Sequence, residues 1–446
     1  MKKVRGIWLT NVDSDVLDSK DNIEAAVKLL SKTGFNVIFP VVWNKGYTLY
    51  PSTVMEKHFG TQFKLDPKYQ DQKRDPLDEL VQAAKQHEIK VIPWFEYGFA
   101  SSHISLNDKN KLEFQKMLKD KKWLAFKQDS TPTPLIDNGF EWMNALNPEV
   151  QAFMIELILE VAQNYDVDGI QGDDRLPAFP VEGFDQDAAN HFNEKHRRFP
   201  AGAKDEKWIE FRADILTKFL EALCEKVRQV GKNKGKKLLI SMAPHPRGFG
   251  FNNYLQDTKA WFKLVDMMHP QLYRRTFEDY RTLVTQEIRG LLPEQKAKIS
   301  PGVLMKLGDY RIGEDPDNPD PDYLEEAIRL HRNTGLAGES FFFFEGLRVP
   351  NDLIAKALRD HHYAVNKLDD EGPDVFKIQK LLKDMNDPNF DPGEIDGIFG
   401  LKTETAVKNF QKKHFPLAQV DGKVGAKTLE KLGVIDLQAF GNLNVR

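Results

Sequence analysis

Eight times between Val4 and Leu358 a short apolar run recurs, in most cases with an amphipathic stretch after it. The runs are Val4–Thr10, Phe35–Trp43, Ile89–Phe95, Tyr165–Gly172, Lys237–Ala243, Val265–Leu272, Lys298–Leu304 and Ala337–Phe344. Helical spacing follows or intervenes at Ser19–Ser31, Pro76–His87, Pro148–Asn164, Trp208–Val230, Tyr280–Leu291, Asp322–Asn333 and Asn351–Leu358. Phe35–Trp43 is almost continuously apolar, as a strand covered on both faces requires, so the pattern predicts a parallel sheet flanked by helices. Two architectures satisfy it. A doubly wound open sheet that binds a nucleotide carries a glycine-rich loop after its first strand. Here that loop reads N-V-D-S-D-V, without glycine. The expectation is therefore an α/β fold of the (β/α)8 TIM-barrel type.

The strand ends carry the chemistry-bearing residues. Asp13 follows the first strand, Glu96 the third, Asp173 and Asp174 the fourth, and Glu345 the eighth. In a barrel, side chains beyond the carboxyl ends of the strands converge on one mouth. Glycosidic bonds are hydrolysed by two carboxyl groups, one protonated to release the leaving oxygen and one ionised to attack or to activate water. Crowded carboxylates raise the pKa of one of them and so supply such an acid near neutral pH. Asp173, Asp174, Glu96 and Glu345 are the candidate catalytic groups, with one aspartate pairing with one glutamate. Arg5, Asn11, Asp13, Trp43, Tyr97, Gln171, His245, Gln271 and Tyr273 are candidates for holding the sugar, whose C–H faces suit aromatic rings and whose rims need polar partners. Taken singly, each aromatic is better read as core, and Trp8 and Phe341–Phe343 are assigned there outright. The loops Gly98–Asn147 and Leu176–Lys207 are long enough to wall a cleft for an extended substrate.

Other chemistries find less support. His103, His245 and His269 could join the two aspartates as ligands, but no H-x-x-x-H spacing exists, so neither a metal nor a cofactor is expected. G-x-S-x-G and G-x-x-x-x-G-K-[ST] are both absent. With a formal charge of −4, the chain lacks the basic footprint of a nucleic-acid binder. No apolar run approaches the ~20 residues that cross a bilayer. The amino terminus has no apolar core with a cleavage site, so no secretion signal is read there. Its one cysteine, Cys224, falls in an amphipathic pattern and reads as a small buried group. Oligomeric state is not legible.

After Lys367 the composition changes. L-D-D-E-G-P begins a linker, and a compact unit follows that contains an echo: D-G-I-F-G-L-K-T at Asp396–Thr403 and D-G-K-V-G-A-K-T at Asp421–Thr428. Asp-Gly supplies a turn with positive φ, and each copy leads into an amphipathic stretch. The division expected is a barrel over 1–365, a linker over 366–372, a three-helix module over 373–436 and a tail over 437–446.

This module resembles the peptidoglycan-binding domain appended to bacterial cell-wall enzymes, through Val375, Ile378–Gln379, Leu381–Leu382, both repeat copies and A-V-K-N-F-Q at Ala406–Gln411. The larger part resembles the bacterial glycosyl hydrolase-like family 10. That likeness runs through R-G-I-W-L-T at Arg5–Thr10, P-W-F-E-Y-G-F at Pro93–Phe99, L-N-P at Leu146–Pro148 and Y-D-V-D-G-I-Q-G-D-D at Tyr165–Asp174. Y-L-Q-D at Tyr254–Asp257, P-Q-L-Y-R at Pro270–Arg274 and F-F-F-F-E-G-L at Phe341–Leu347 extend it. The resemblance implies a TIM barrel that cleaves peptidoglycan glycan strands, and an envelope location that the missing signal does not itself support. Gly172, Arg175 and the M-A-P-H-P ending of the fifth strand depart from the family pattern at the mouth. A barrel that binds wall without turnover, a hydrolase of another polysaccharide and a cytoplasmic metabolic enzyme stay open as alternatives.

Overall fold

The computed structural model describes residues 3–106, 108–128, 133–308, 310–312, 323–348, 358 and 366–433. They group into two units, Gly6–Lys28 with Asn36–Leu272, and Met1–Arg5 with Leu29–Phe35 and Tyr273–Arg446.

In the first unit, β1 (Val4–Leu9, from Gly6 on) pairs in parallel with β2 (Val37–Pro40), and β2 with β3 (Lys90–Val91). Beyond β3 the chain stays extended, and Trp94 bridges in parallel to Gln171 of β4 (Gly169–Gly172). From β4 the ladder passes to β5 (Leu239–Met242) and then β6 (Met267–Met268). Sequence neighbours are thus spatial neighbours throughout, each joined by a crossover as parallel strands require. The crossovers carry α1 (Lys20–Lys32), α2 (Pro76–Lys85), α3 (Pro148–Asn164) and α4 (Glu206–Asn233). Ser19, Asp75, Asn147 and Asp205 cap these helices by accepting from first-turn amides, and proline opens α2 and α3, where its missing N–H costs nothing. Cys224 is buried in α4, where burial pushes its thiol up to about 12.

The inner face of this sheet holds Trp8, Phe39, Trp94, Gln171, Ser241 and His269. Trp8 of β1 and His269, just past β6, lie with ring centroids 6.2 Å apart. Such closeness between the first and sixth strands means the sheet is strongly curled. The loop expected over Gly98–Asn147 has structure of its own: Ala100–His103, Ile136–Asp137 and Phe140–Trp142 form an antiparallel sheet beside the helix Lys109–Asp120. Leu176–Lys207 carries the helix Gln186–His196, and α5 (Arg247–Tyr254) follows β5.

In the second unit, β7 (Gly302–Leu304) pairs in parallel with β8 (Gly338–Phe342), and Val4 donates its N–H to the Ala337 carbonyl at 2.9 Å. The helices α6 (Phe277–Ile288) and α7 (Tyr323–Asn333) stand before β7 and β8. A closing helix expected over Asn351–Leu358 lies outside the described residues except for Leu358. Buried Glu339 of β8 is gripped by Arg5 Nε at 3.0 Å and by Arg332 Nη1 at 2.8 Å. Arg5 Nη1 also donates to the Leu358 carbonyl at 2.8 Å.

The module in this unit has its own core, Val375, Ile378, Leu382, Phe390, Phe399, Ala406, Val407, Phe410, Val424 and Leu432. Its helices are α8 (Pro373–Asp384), α9 (Leu401–His414) and α10 (Ala426–Lys431). The sequence echo has a structural counterpart. Gln379 Nε2 donates to Asp396 Oδ1, the Ile398 carbonyl and Thr403 Oγ1, while its Oε1 accepts from Gly397 N at 2.8 Å. Gln411 does the same for Asp421, Lys423, Thr428 and Gly422, again with Oε1 accepting from the glycine at 2.8 Å. Each turn glycine has positive φ, 77° at Gly397 and 76° at Gly422, where a side chain would be strained. Segment 366–372, expected as a linker, is bridged into the module at Asn366–Val424 and Glu371–Ile398. The tail over 437–446 lies outside the described residues.

Replacing Glu339 with Gln leaves two buried guanidinium groups without their counter-charge, and stability should fall by about 3–5 kcal/mol, read as a lower urea midpoint. Replacing Gln411 with Leu strips one turn of its amide partners and should cost the module roughly 2–3 kcal/mol, seen as faster limited proteolysis after residue 370.

Candidate active site

Side chains alternate along a strand, so Gln171 of β4 and Asp173 two residues on share the inner face. Gln171 belongs to the lower layer. Its Oε1 accepts from Trp8 Nε1 at 2.8 Å, and its Nε2 donates to Ser241 Oγ at 2.9 Å. Asp173 lies one layer nearer the strand ends, where its Oδ1 accepts from Gln271 Nε2 at 2.7 Å. Gln271 likewise stands two residues beyond inner-face His269.

Arg175 organises the carboxylates. Its Nη2 lies 3.0 Å from Asp173 Oδ2, its Nη1 3.0 Å from Asp174 Oδ1, and its Nε donates to the Glu96 carbonyl at 3.1 Å. The Phe140 ring covers the guanidinium at 4.4 Å and Tyr97 lies 5.7 Å away, so the cation is held by both charge and aromatic faces. Gly98 lets the third loop come this close: a Cβ there would stand 2.2 Å from the Arg175 carbonyl. Gly172 likewise has no room for a side chain, since a Cβ would meet Met242 Sδ at 2.5 Å.

The environments pull the acids apart. Burial and the neighbouring Asp174 charge hold Asp173 well above the usual carboxylate range, and its side chain is 1% exposed. Burial alone would raise Asp174 too, but Arg175 and His245 outweigh it and lower its pKa. Its side chain is 13% exposed, and His245 Nε2 stands 3.7 Å from Oδ2. Burial also raises Glu96, against the opposing pull of Arg175 and of Asn44, whose Nδ2 donates to Glu96 Oε2 at 3.1 Å. Burial lowers His245, against the opposing pull of Asp174. The first unit therefore presents one carboxylate held ionised beside two held toward the protonated form.

The other sequence candidates divide sharply. Asn11 reaches this group through Asn44, which donates to Asn11 Oδ1 at 2.6 Å, and Tyr97 flanks Arg175. Asp13 is exposed and adopts a left-handed φ of 51°. Three expectations are corrected. Trp43 is fully buried, donates to the Gly98 carbonyl at 3.0 Å and packs on Phe114 and Phe153, so it is core rather than a sugar platform. Gln171 is consumed by Trp8 and Ser241. Arg5 is buried in the ionic cluster of Glu339, far from any role as a sugar contact. Tyr273 and Glu345 belong to the second unit, where Tyr273 stacks on Phe342 at 5.1 Å and Glu345 lies 3.2 Å from Arg348. Among the described residues no group of three or more His, Cys, Asp or Glu is placed to hold a metal.

Sequence reasoning passed over Arg175, noted only as a departure, and Phe140, whose one signal was the Asn138–Gly139 turn just before it. Gln256 had one, the Y-L-Q-D motif. Its buried side chain accepts from His245 N at 3.1 Å and donates to the Asp174 carbonyl at 3.2 Å.

Comparison with known proteins agrees with this layout. Glycosyl hydrolase DigH of Escherichia coli O6:H1 is 24% identical over 366 residues, covering 72% of this chain and 76% of that protein. The spore cortex-lytic enzyme of Bacillus subtilis (strain 168) is 46% identical over 61 residues, 14% of this chain, which spans about a fifth (19%) of that enzyme's length. Among solved structures, the PgaB (BpsB) glycoside hydrolase domain from Bordetella bronchiseptica superposes with a TM-score of 0.55 at 10% identity, covering 80% of this chain and 98% of its own. Residues 371–432 match the peptidoglycan binding domain model, and residues 3–325 match that of glycosyl hydrolase-like 10. The chain belongs to the glycosyl hydrolase-like 10 family and carries a peptidoglycan binding domain after it.

Proposed function

We propose that this protein hydrolyses glycosidic bonds in the glycan strands of bacterial cell wall, with Asp174 as the ionised carboxylate and Glu96 as the proton donor. The observation that carries the reading is the single guanidinium of Arg175 set between Asp173 and Asp174, which keeps one acid of the cluster charged while burial favours the proton on the others. In the reaction Glu96 gives its proton to the bridging oxygen as the C–O bond breaks. Asp174 then either bonds to the anomeric carbon or takes a proton from the attacking water. Asp173, tied to Gln271 and Arg175, positions rather than reacts. Family membership and the fold of the Bordetella domain support reading the eight strands as one (β/α)8 barrel. The wall-binding module, and the cortex-lytic activity named for its relative, support peptidoglycan as the polymer and the cell envelope as the place of action.

Full-length protein incubated with purified sacculi should release reducing ends. Asp174→Asn and Glu96→Gln should each lower that rate by about 10²–10⁴-fold while leaving sacculus pull-down intact. Pull-down without any release by the wild-type protein would favour a wall-binding barrel without turnover.

Activity needs Asp174 ionised and Glu96 protonated. The acid limb of kcat/KM should therefore fall below the ordinary carboxylate range and the alkaline limb above it. Arg175 favours the charged form of both acids, so Arg175→Met should move both limbs to higher pH; limbs that stay in place would show that the guanidinium does not set them.

A further inference from the structure

From the elements around Asp174 we infer a sugar-stacking subsite beside the proposed hydrolytic carboxylate, built by Phe249 with the edge of His245, that takes a pyranose ring of the glycan strand. This inference rests on the proposed function for the identity of its ligand.

Phe249 of α5 is 50% exposed, the largest exposure of any aromatic in the structured segment that follows β5. A lone exposed phenylalanine is ordinary on a protein surface. This one is fixed to the site by a continuous chain of contacts. Its ring meets His245 edge-to-face at 5.2 Å between centroids, and His245 Nε2 lies 3.7 Å from Asp174 Oδ2. Tyr254 packs on His245 at 4.4 Å with an interplanar angle of 31° and on Phe249 at 5.8 Å, so the three rings form one mutually packed cluster. Tyr254 in turn donates to Asp137 Oδ2 at 2.5 Å and accepts from Asn138 Nδ2 at 2.9 Å, which ties the platform to the antiparallel insertion.

The helix carrying Phe249 is locked to the aspartate turn. Gln256 reaches His245 N, the Asp174 carbonyl at 3.2 Å and the Pro177 carbonyl at 3.4 Å with one side chain. Gly250 makes room for it: a Cβ there would stand 2.9 Å from Gln256 Oε1 and 3.2 Å from His245 Cβ. An apolar ring held rigidly beside an ionised carboxylate suits a ligand with an apolar face and a polar rim, and loses little freedom when the ligand arrives. A pyranose has that form.

The test compares wild type, Phe249→Ala and Phe249→Trp as full-length proteins, with melting temperature as the folding control. Turnover is read on sacculi, and binding of a β-1,4-linked N-acetylglucosamine tetramer is read directly by calorimetry. Phe249→Ala should raise KM and the tetramer Kd by about tenfold with kcat little changed. Phe249→Trp should restore both, and its added fluorescence over wild type should respond to the tetramer. Equal constants for wild type and Phe249→Ala in an active enzyme overturn the subsite and leave the hydrolase reading intact. Tetramer binding that Phe249→Ala weakens, without turnover by wild type, upholds the subsite and ends the hydrolase reading. Absence of both binding and turnover in wild type overturns both.

Discussion

Three carboxylates drawn to neighbouring strand ends repel one another and lose hydration together, and a cluster of that kind survives only with a fixed positive charge inside it. Arg175 is that charge. Its two terminal nitrogens take one aspartate each, its third nitrogen takes a main-chain carbonyl of the next loop, and its flat face lies on Phe140. The strands deliver the acids to one place, and the guanidinium opposes the burial that favours a proton on each of them. A lysine in its place would present one point charge and no fork, so the two-sided grip depends on the planar group.

The parallel strands were plain in the sequence because each is an apolar run buried on both faces, and the helices between them carry their own start signals in Ser19, Asp75, Asn147 and Asp205. Asp173, Asp174 and Glu96 stood out as carboxylates just past such runs, a place where turn-forming aspartates are also common. Depth was not legible. Gln171 and Asp173 stand two positions apart on one face, and nothing in their spelling says that the first is sealed beneath the second by Trp8 and Ser241. Trp43 and Arg5 misled for the same reason: residue type suggests chemistry, while the layer of the sheet decides whether a ligand can reach it. The insertion at Gly98–Asn147 was illegible for a different cause. Its strands are two to four residues long, and Ala100–His103 finds its partner Phe140–Trp142 far along the chain; only the hairpin of Ile136–Asp137 with Phe140–Glu141 had a local mark, the Asn138–Gly139 turn, which was passed over.

The carboxyl-terminal module shows the opposite case, where a short repeat in sequence was a full structural statement. The two copies fold alike because a buried glutamine from the preceding helix fills each turn with the same four hydrogen-bonding groups. The segment before it is bridged to it at Asn366–Val424 and Glu371–Ile398, and a composition rich in Asp, Glu and Gly suits a bridged turn as readily as a tether.

Gln256 has a consequence of its own. One primary amide braces the main chain of the aspartate turn and the main chain leading into the aromatic helix at once, which would make it, on the proposed function, a shared joint between recognition and reaction. Drift at that position would disturb substrate grip and proton inventory in a single stroke, so the two properties are bound to vary together in this fold rather than be adjusted one by one.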